Sequence, residues 1–233
     1  MLSIVTINKD NQAGLYKTIE SLKKIDDRRF QWLCIDSASK DGSVDLANQF
    51  KTRNDVVISE KDAGIYNAMN KGIGLANGDY ILFLNSGDTL SPQIKTLDFM
   101  KVVTGHDLAL FGFEIRNTQR KPRANGWRFW SMPTSHQAIV YSSALLKQNP
   151  FDESYRFAAD FEHYLRINRN HLAIYSDDRP LIVNEPYGSD AHLPALLGEY
   201  RHSLIKNGYP KLWAYFVYWL KTYYLKWALR ERS

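Results

Sequence analysis

The chain has 233 residues, 44% of them apolar, with 30 basic side chains against 25 acidic ones and a single cysteine. That length suits one α/β domain or one domain with a small appendage, and the apolar share excludes global disorder. A lone Cys34 excludes an internal disulfide framework and a multi-cysteine zinc site, and it fits a reducing compartment.

The first hundred residues alternate strand and helix. Ile4–Ile7 is a short apolar run, and Leu15, Ile19, Leu22 and Ile25 recur at helical spacing. Trp32–Ile35 predicts the second strand, Ser43–Lys51 a helix, and Val56–Ile58 a third strand. Ile65, Met69, Ile73 and Ala76 mark another helix, with Gly78 as its expected C-cap, and Tyr80–Leu84 a fourth strand. Short strands each followed by a helix predict a parallel sheet of βαβ units. Leu108–Ile115 reads as a strand, Arg116–Pro133 as a polar loop, Ala138–Tyr141 as a strand and Phe161–Arg169 as a helix. Ala173–Tyr175 and Leu181–Val183 read as two short strands.

In open α/β sheets ligands bind outside the carboxyl ends of the strands. Those ends carry Thr6 and Asn8, then Asp36 to Ser39, then Glu60 to Asp62, then Asn85 to Asp88. One such acid alone is usually a turn or cap residue; four strand ends delivering polar groups to one edge point to a ligand. Carboxylates suit ribose hydroxyls or a base N–H, and a divalent cation would reconcile them with a diphosphate. Asp88, on a glycine-containing turn, is the best metal candidate. The run from Gly72 to Gly78 is not a dinucleotide fingerprint, because a helix precedes it and a strand follows. Asp160 opens a predicted helix, as either a capping aspartate or a general base. His136 and Gln137 could bind phosphate or acceptor, or bridge backbone groups.

These segments resemble the inverting glycosyltransferases of family 2. The resemblance is carried by Ser3 to Asn8, Ile35 to Ser43, Ser59 to Gly72 and Ala76 to Asp88, and extends through His136-Gln137 to the Asp160 helix. It implies a GT-A fold: a Rossmann-like, mostly parallel central sheet flanked by helices. It implies that Thr6, Asn8, Asp36, Asp62, Asn70, Lys71 and Asn85 line the nucleotide-sugar pocket, with Asp36 towards the base. His136 and Gln137 would serve acceptor or diphosphate, Asp88 a Mn²⁺ or Mg²⁺ ion, and Asp160 would be the catalytic base. The family's Asp-x-Asp reads Asn85-Ser86-Gly87 here, leaving only Asp88, and the usual Glu-Asp of the base motif reads Ala159-Asp160. The resemblance is to the branch that builds bacterial exopolysaccharide, capsule and O-antigen units. It implies transfer of one sugar, with inversion, from a nucleotide diphosphosugar such as a UDP-sugar to a polyprenyl-diphosphate-linked saccharide. The motif of processive synthases is absent. A non-catalytic nucleotide-sugar-binding or regulatory protein on the same fold is the alternative.

The net charge of +5 is concentrated at the end of the chain. Residues 199–233 hold seven basic and two acidic side chains, which leaves 23 of each sign in residues 1–198. The expected division is therefore a glycosyltransferase domain over 1–198 and a basic, aromatic helical region over 199–233. At 3.6 residues per turn, Trp213, Phe216, Val217, Leu220, Tyr224 and Trp227 share one face, with Lys211, Lys221 and Lys226 opposite. Such an amphipathic helix either lies in a membrane interface or packs on the core. The neutral body argues against nucleic acid as a partner. Met1–Ile7 reads as a strand and not as a signal peptide. The longest aromatic-aliphatic run, Leu212–Leu220, is too short to span a bilayer. The expected location is cytoplasmic, peripheral on the inner face of the cytoplasmic membrane.

Overall fold

The apolar runs of the first half become four parallel, adjacent strands. The computed structural model describes residues 1–25, 29–92, 99–123, 127–167, 171–185 and 192–230. Strand β1 (Leu2–Asn8) pairs in parallel with β2 (Phe30–Asp36) and with β4 (Tyr80–Phe83), and β2 pairs with β3 (Val56–Ser59). Between them run α1 (Gln12–Lys23), α2 (Ser43–Phe50) and α3 (Ile65–Leu75). The predicted Leu15, Ile19 and Leu22 are all buried, so the 3.6-residue spacing located the docked face of α1.

Beyond β4 the sheet changes character. Next come β5 (Thr89–Leu90), α4 (Phe99–Val103), β6 (Leu108–Ile115) and β7 (Thr118–Arg120). A 3₁₀ turn over His136–Ala138 leads into β8 (Ile139–Ser142), followed by α5 (Ser143–Gln148), α6 (Ala159–Ile167) and β9 (Ile174–Asn184). Among the described residues the order is β3-β2-β1-β4-β8-β6-β9-β5, with β7 paired to β6. β8 runs antiparallel to β4 and β6. The two short strands expected at 173–183 are one strand with a register shift opposite Phe111–Phe113. Pro180, which has no N–H to donate, sits at that irregularity, where a ladder tolerates it. The polar stretch 116–133 contains β7, which forms a hairpin with β6.

Helices cover both faces. Tyr66, Met69, Ile73, Leu146 and Tyr164 join one core layer, and Leu15, Ile19, Leu22, Ala47 and Val103 the other. Gly78 is not the cap of α3; that position is Ala76. Its place is fixed by close approach to β1, since a Cβ there would lie 2.7 Å from the Ser3 amide nitrogen and 2.8 Å from the Met1 carbonyl oxygen. The Ser3 hydroxyl accepts the Gly78 N–H at 2.9 Å. Gly78→Ala should therefore cost about 2 kcal/mol of overpacking strain, read as a lower midpoint in denaturant unfolding.

A third cluster ties the end of the chain to the body. Phe161 and Leu165 of α6 meet Leu196 and Leu204 of α7 (Leu193–Lys206) and Ala214 and Val217 of α8 (Lys211–Arg230). The division expected at 198/199 thus falls inside α7. The docked face of α8 also differs from the expected one. Ala214, Val217 and Lys221 are buried, while Phe216, Tyr215, Trp219 and Tyr223 remain exposed. Small side chains let the helix approach closely, and the Lys221 ammonium reaches inward to donate to the Trp130 carbonyl at 2.6 Å, 3.7 Å from the Tyr200 ring. Burial, helped by the charge of Arg123, pushes Lys221 down to about 7. The side chains of Lys226 and Trp227 lie outside the described residues.

Candidate functional site

Strand register sets the first part of the site. Asn8, Asp36 and Ser59 end β1, β2 and β3 as direct neighbours across the ladder. Asp36 accepts the Asn8 amide at 2.7 Å, the Ser39 backbone N–H at 2.9 Å and hydroxyl at 2.5 Å, and the Ser59 hydroxyl at 2.6 Å. Burial pushes its carboxyl up, but the hydrogen bonds from Ser39, Ser59 and Asn8 outweigh this and hold it below the ordinary value. With both oxygens doubly occupied, Asp36 takes a further N–H only by displacing a serine hydroxyl.

Next to it, Asp62 binds the Lys71 ammonium at 2.6 Å through one oxygen, and Lys71 also pairs with Glu60 at 2.6 Å. The other Asp62 oxygen is buried without a partner. The same holds for the Asn8 and Asn85 side-chain oxygens. Buried acceptors left unpaired cost about 1–3 kcal/mol each, and here three face the ends of neighbouring strands. An N–H or hydroxyl group of a ligand, or a cation, would satisfy them.

The turn after β4 forms the second part. Asp88 is buried and accepts the Glu185 backbone N–H at 2.8 Å and the Asn184 amide at 3.1 Å. Burial, with a contribution from the negative charge of Glu185, pushes Asp88 up to about 6 against those bonds. Gly87 has φ +106°, and the Glu185 carboxylate occupies the space that a Cβ on Gly87 would fill. Glu185 pairs with Lys17 at 3.1 Å. Thr18 of α1 fastens the turn, accepting the Gly87 N–H at 3.0 Å and donating to the Asp88 carbonyl at 2.8 Å. Gln137 lies on the far side, its oxygen accepting from Ser135 at 2.7 Å and from Asn184 at 3.5 Å.

This turn fits a divalent cation of the hard type. Asp88, Glu185 and the unpaired Asn85 oxygen are oxygen donors, and such ions take one or two carboxylates plus substrate phosphate oxygens. Among the described residues no group of three or more His, Cys, Asp or Glu forms a closed metal site, so the ligand itself would complete the coordination.

Asp160 forms the third part. It is the second residue of α6, not its cap, which removes the simple capping reading. One carboxylate oxygen accepts the Phe161 N–H at 2.9 Å and the Tyr66 hydroxyl at 3.2 Å. Burial pushes the group up to about 6, opposed by those bonds. Tyr66 and Lys71 both stand on α3, so one helix reaches both Asp160 and Asp62.

Three expected pocket residues also hold neighbouring structure. Thr6 is fully buried, its hydroxyl accepting the Trp32 indole N–H at 3.0 Å. Asn70 clamps the segment before α6, donating to the Phe151 carbonyl at 2.9 Å and accepting the Phe151 N–H at 3.0 Å. His136 stacks on Phe83 at 5.1 Å and meets the Tyr141 hydroxyl at 3.2 Å. Burial lowers it to about 4, so it is neutral at pH 7 and offers no charge to a phosphate. The sequence reading missed Asn184 and Glu185, although they follow the apolar run Leu181–Val183 as the other site groups follow theirs.

The Glycosyl transferase family 2 profile matches residues 3–162. A PGL/p-HBAD biosynthesis glycosyltransferase of Mycobacterium bovis is 28% identical over 184 residues, covering 73% of this chain and 70% of its own. Among solved structures, S. aureus TarS 1-349 in complex with UDP-GlcNAc superposes with a TM-score of 0.67 at 16% identity, covering 93% of this chain and 70% of that one. Glucosyl-3-phosphoglycerate synthase from Mycobacterium tuberculosis, in complex with Mn²⁺, UDP-glucose and phosphoglyceric acid, superposes at 0.64 with 17% identity, covering 90% and 80%. Both share the fold.

Proposed function

Because the chain belongs to glycosyl transferase family 2, we propose that it moves one sugar from a nucleotide diphosphosugar to a lipid-linked saccharide with inversion, without processive synthesis, in cell-surface polysaccharide or glycolipid assembly. The observation that carries this reading is the row of unpaired buried acceptors at Asn8, Asp62 and Asn85, which asks for a hydroxyl-rich, N–H-bearing ligand along the strand ends. A uridine donor is favoured by the UDP-sugars bound to two fold neighbours. The acceptor is a saccharide on polyprenyl diphosphate.

Asp160 takes the proton from an acceptor hydroxyl. That oxygen forms the new bond to the anomeric carbon on the face opposite the diphosphate, and the bond to the diphosphate oxygen breaks, releasing the nucleoside diphosphate. Asn8, Asp62 and the Lys71 that orients it hold the nucleoside end, and Asp36 orders their edge. Asp88, Glu185 and Asn85 would hold a Mn²⁺ or Mg²⁺ ion, whose chemistry is to neutralise charge developing on the leaving diphosphate. Isothermal titration with a panel of nucleoside diphosphates tests the donor reading. UDP binding that weakens in Asp62→Asn supports it, and no binding of any nucleotide would overturn it.

We further propose that α8 seats the enzyme on the inner face of the cytoplasmic membrane, where such an acceptor resides. Its outward face carries Leu212, Trp219 and Tyr223 at 87%, 62% and 66% exposure, next to the exposed Lys211, the pattern of an interfacial helix. Among the described residues no helix is long and apolar enough to cross a membrane. Replacing Leu212, Trp219 and Tyr223 with serine should lower co-sedimentation with phosphatidylglycerol vesicles about tenfold or more. Unchanged sedimentation would count against the membrane seat.

A further inference from the structure

We propose that Glu199 is the positioning residue of the base: one α7 carboxylate fastens the segment that presents Asp160. This rests on reading Asp160 as the base. The geometry is specific. One Glu199 oxygen accepts the Arg156 backbone N–H at 2.9 Å, and the other accepts those of Phe157 and Ala158, both at 2.8 Å. These three residues lead directly into α6. A helix start leaves its first N–H groups unpaired; Asp160 itself takes that of Phe161, and a carboxylate 41 to 43 residues further along the chain takes the adjoining row before the helix. Its negative charge also stands at the positive end of the α6 dipole.

The neighbour of Glu199 strengthens the link. Tyr200 packs edge-on against Phe161 at 4.2 Å, and Phe161 follows Asp160. Tyr200 in turn lies under the Lys221 ammonium of α8. Two consecutive residues of α7 therefore hold the backbone before the base and the side chain after it. Tyr66 from α3 donates to Asp160, while Tyr141 from β8 and Glu199 from α7 interact with it electrostatically. The two tyrosines stay protonated over the working range, so Glu199 supplies the negative charge among these neighbours.

The test uses the full chain labelled with ¹³C at aspartate carboxyls, with Asp160→Asn identifying the Asp160 signal. In Glu199→Gln, which keeps the shape and one acceptor oxygen, the Asp160 titration should move to lower pH by about half a unit, because a repelling charge is gone. In Glu199→Ala, amide exchange at Phe157 and Ala158 should speed up at least about tenfold through loss of the acceptor. A capping role alone would speed exchange without moving the titration, so a titration unmoved in Glu199→Gln overturns the proposal. Unchanged exchange in a folded Glu199→Ala would do the same, and if that variant does not fold, Glu199→Gln decides. These readouts involve no turnover. Failure of the base reading itself would appear separately, as full transfer activity in Asp160→Asn.

Discussion

Asp160→Asn should lower the transfer rate about a thousandfold while leaving donor affinity nearly unchanged, since general base catalysis contributes roughly 10²–10⁴. Asparagine keeps the size of the side chain and can still accept from Phe161 and Tyr66, but it cannot take a proton. The pH dependence has a definite sign. Burial sets the Asp160 carboxyl at about 6 in the folded chain, above its ordinary value of 3.8. The base is ionised only above that point, so transfer should rise through about pH 6 to a plateau. Stability runs the other way. Below pH 4 the group is protonated in both folded and unfolded chains and contributes no difference; as pH climbs through about 6, the fold is progressively destabilised by having to hold the charge. The full penalty at neutral pH is on the order of 3 kcal/mol. Asp160→Asn should therefore melt higher than wild type at pH 7.5 and with no gain near pH 4. Equal melting at both values would contradict a buried carboxyl whose two hydrogen bonds do not offset its burial.

Chelation should abolish transfer, and Mn²⁺ or Mg²⁺ should restore it in wild type but not in Asp88→Asn. The asparagine can still accept from Asn184 and Glu185, so the turn should survive, with only the charge removed. Loss of a cation that stabilises a leaving diphosphate is worth several kcal/mol, so the residual rate should be at least about a hundredfold lower. Glu185→Gln should give a smaller version of the same defect, because Lys17 already shares that carboxylate. Full activity after exhaustive chelation would remove the cation from the account.

The parallel half of the fold was legible because its information is local. Each of β1 to β4 is built on one apolar run, and each carries its polar groups at its last residue or within five residues of it. That rule placed Asn8, Asp36, Asp62, Asn85 and Asp88 at one edge. It did not show that the Thr6 hydroxyl turns to the Trp32 indole, because the pleat sends alternate side chains to opposite faces. Asn70 also clamps Phe151, 81 residues away, a partner that only the folded backbone brings near, while His136 meets Tyr141 through Nδ1 and keeps its Nε2 buried and unpaired. Tyr66 and Glu199 were invisible for the same reason, with partners 94 and about 42 residues away. β9 was read as two strands because Asp177-Asp178-Arg179-Pro180 has the composition of a loop, whereas β6 carries it through as an irregular ladder. On α8 the period set Val217 with the aromatic side chains and Lys221 opposite, whereas both are buried together with Ala214 on the face that docks. Ala214 and Val217 decide that by being small, and the aromatic face stays outside.

Mass spectrometry of lipid-linked saccharide incubated with UDP-sugars and Mn²⁺ reads single-sugar transfer itself. The expected product is heavier by one sugar residue and no more, formed by wild type and absent with Asp160→Asn. Donor hydrolysis without any gain in acceptor mass, or a product formed equally by both proteins, would contradict that expectation.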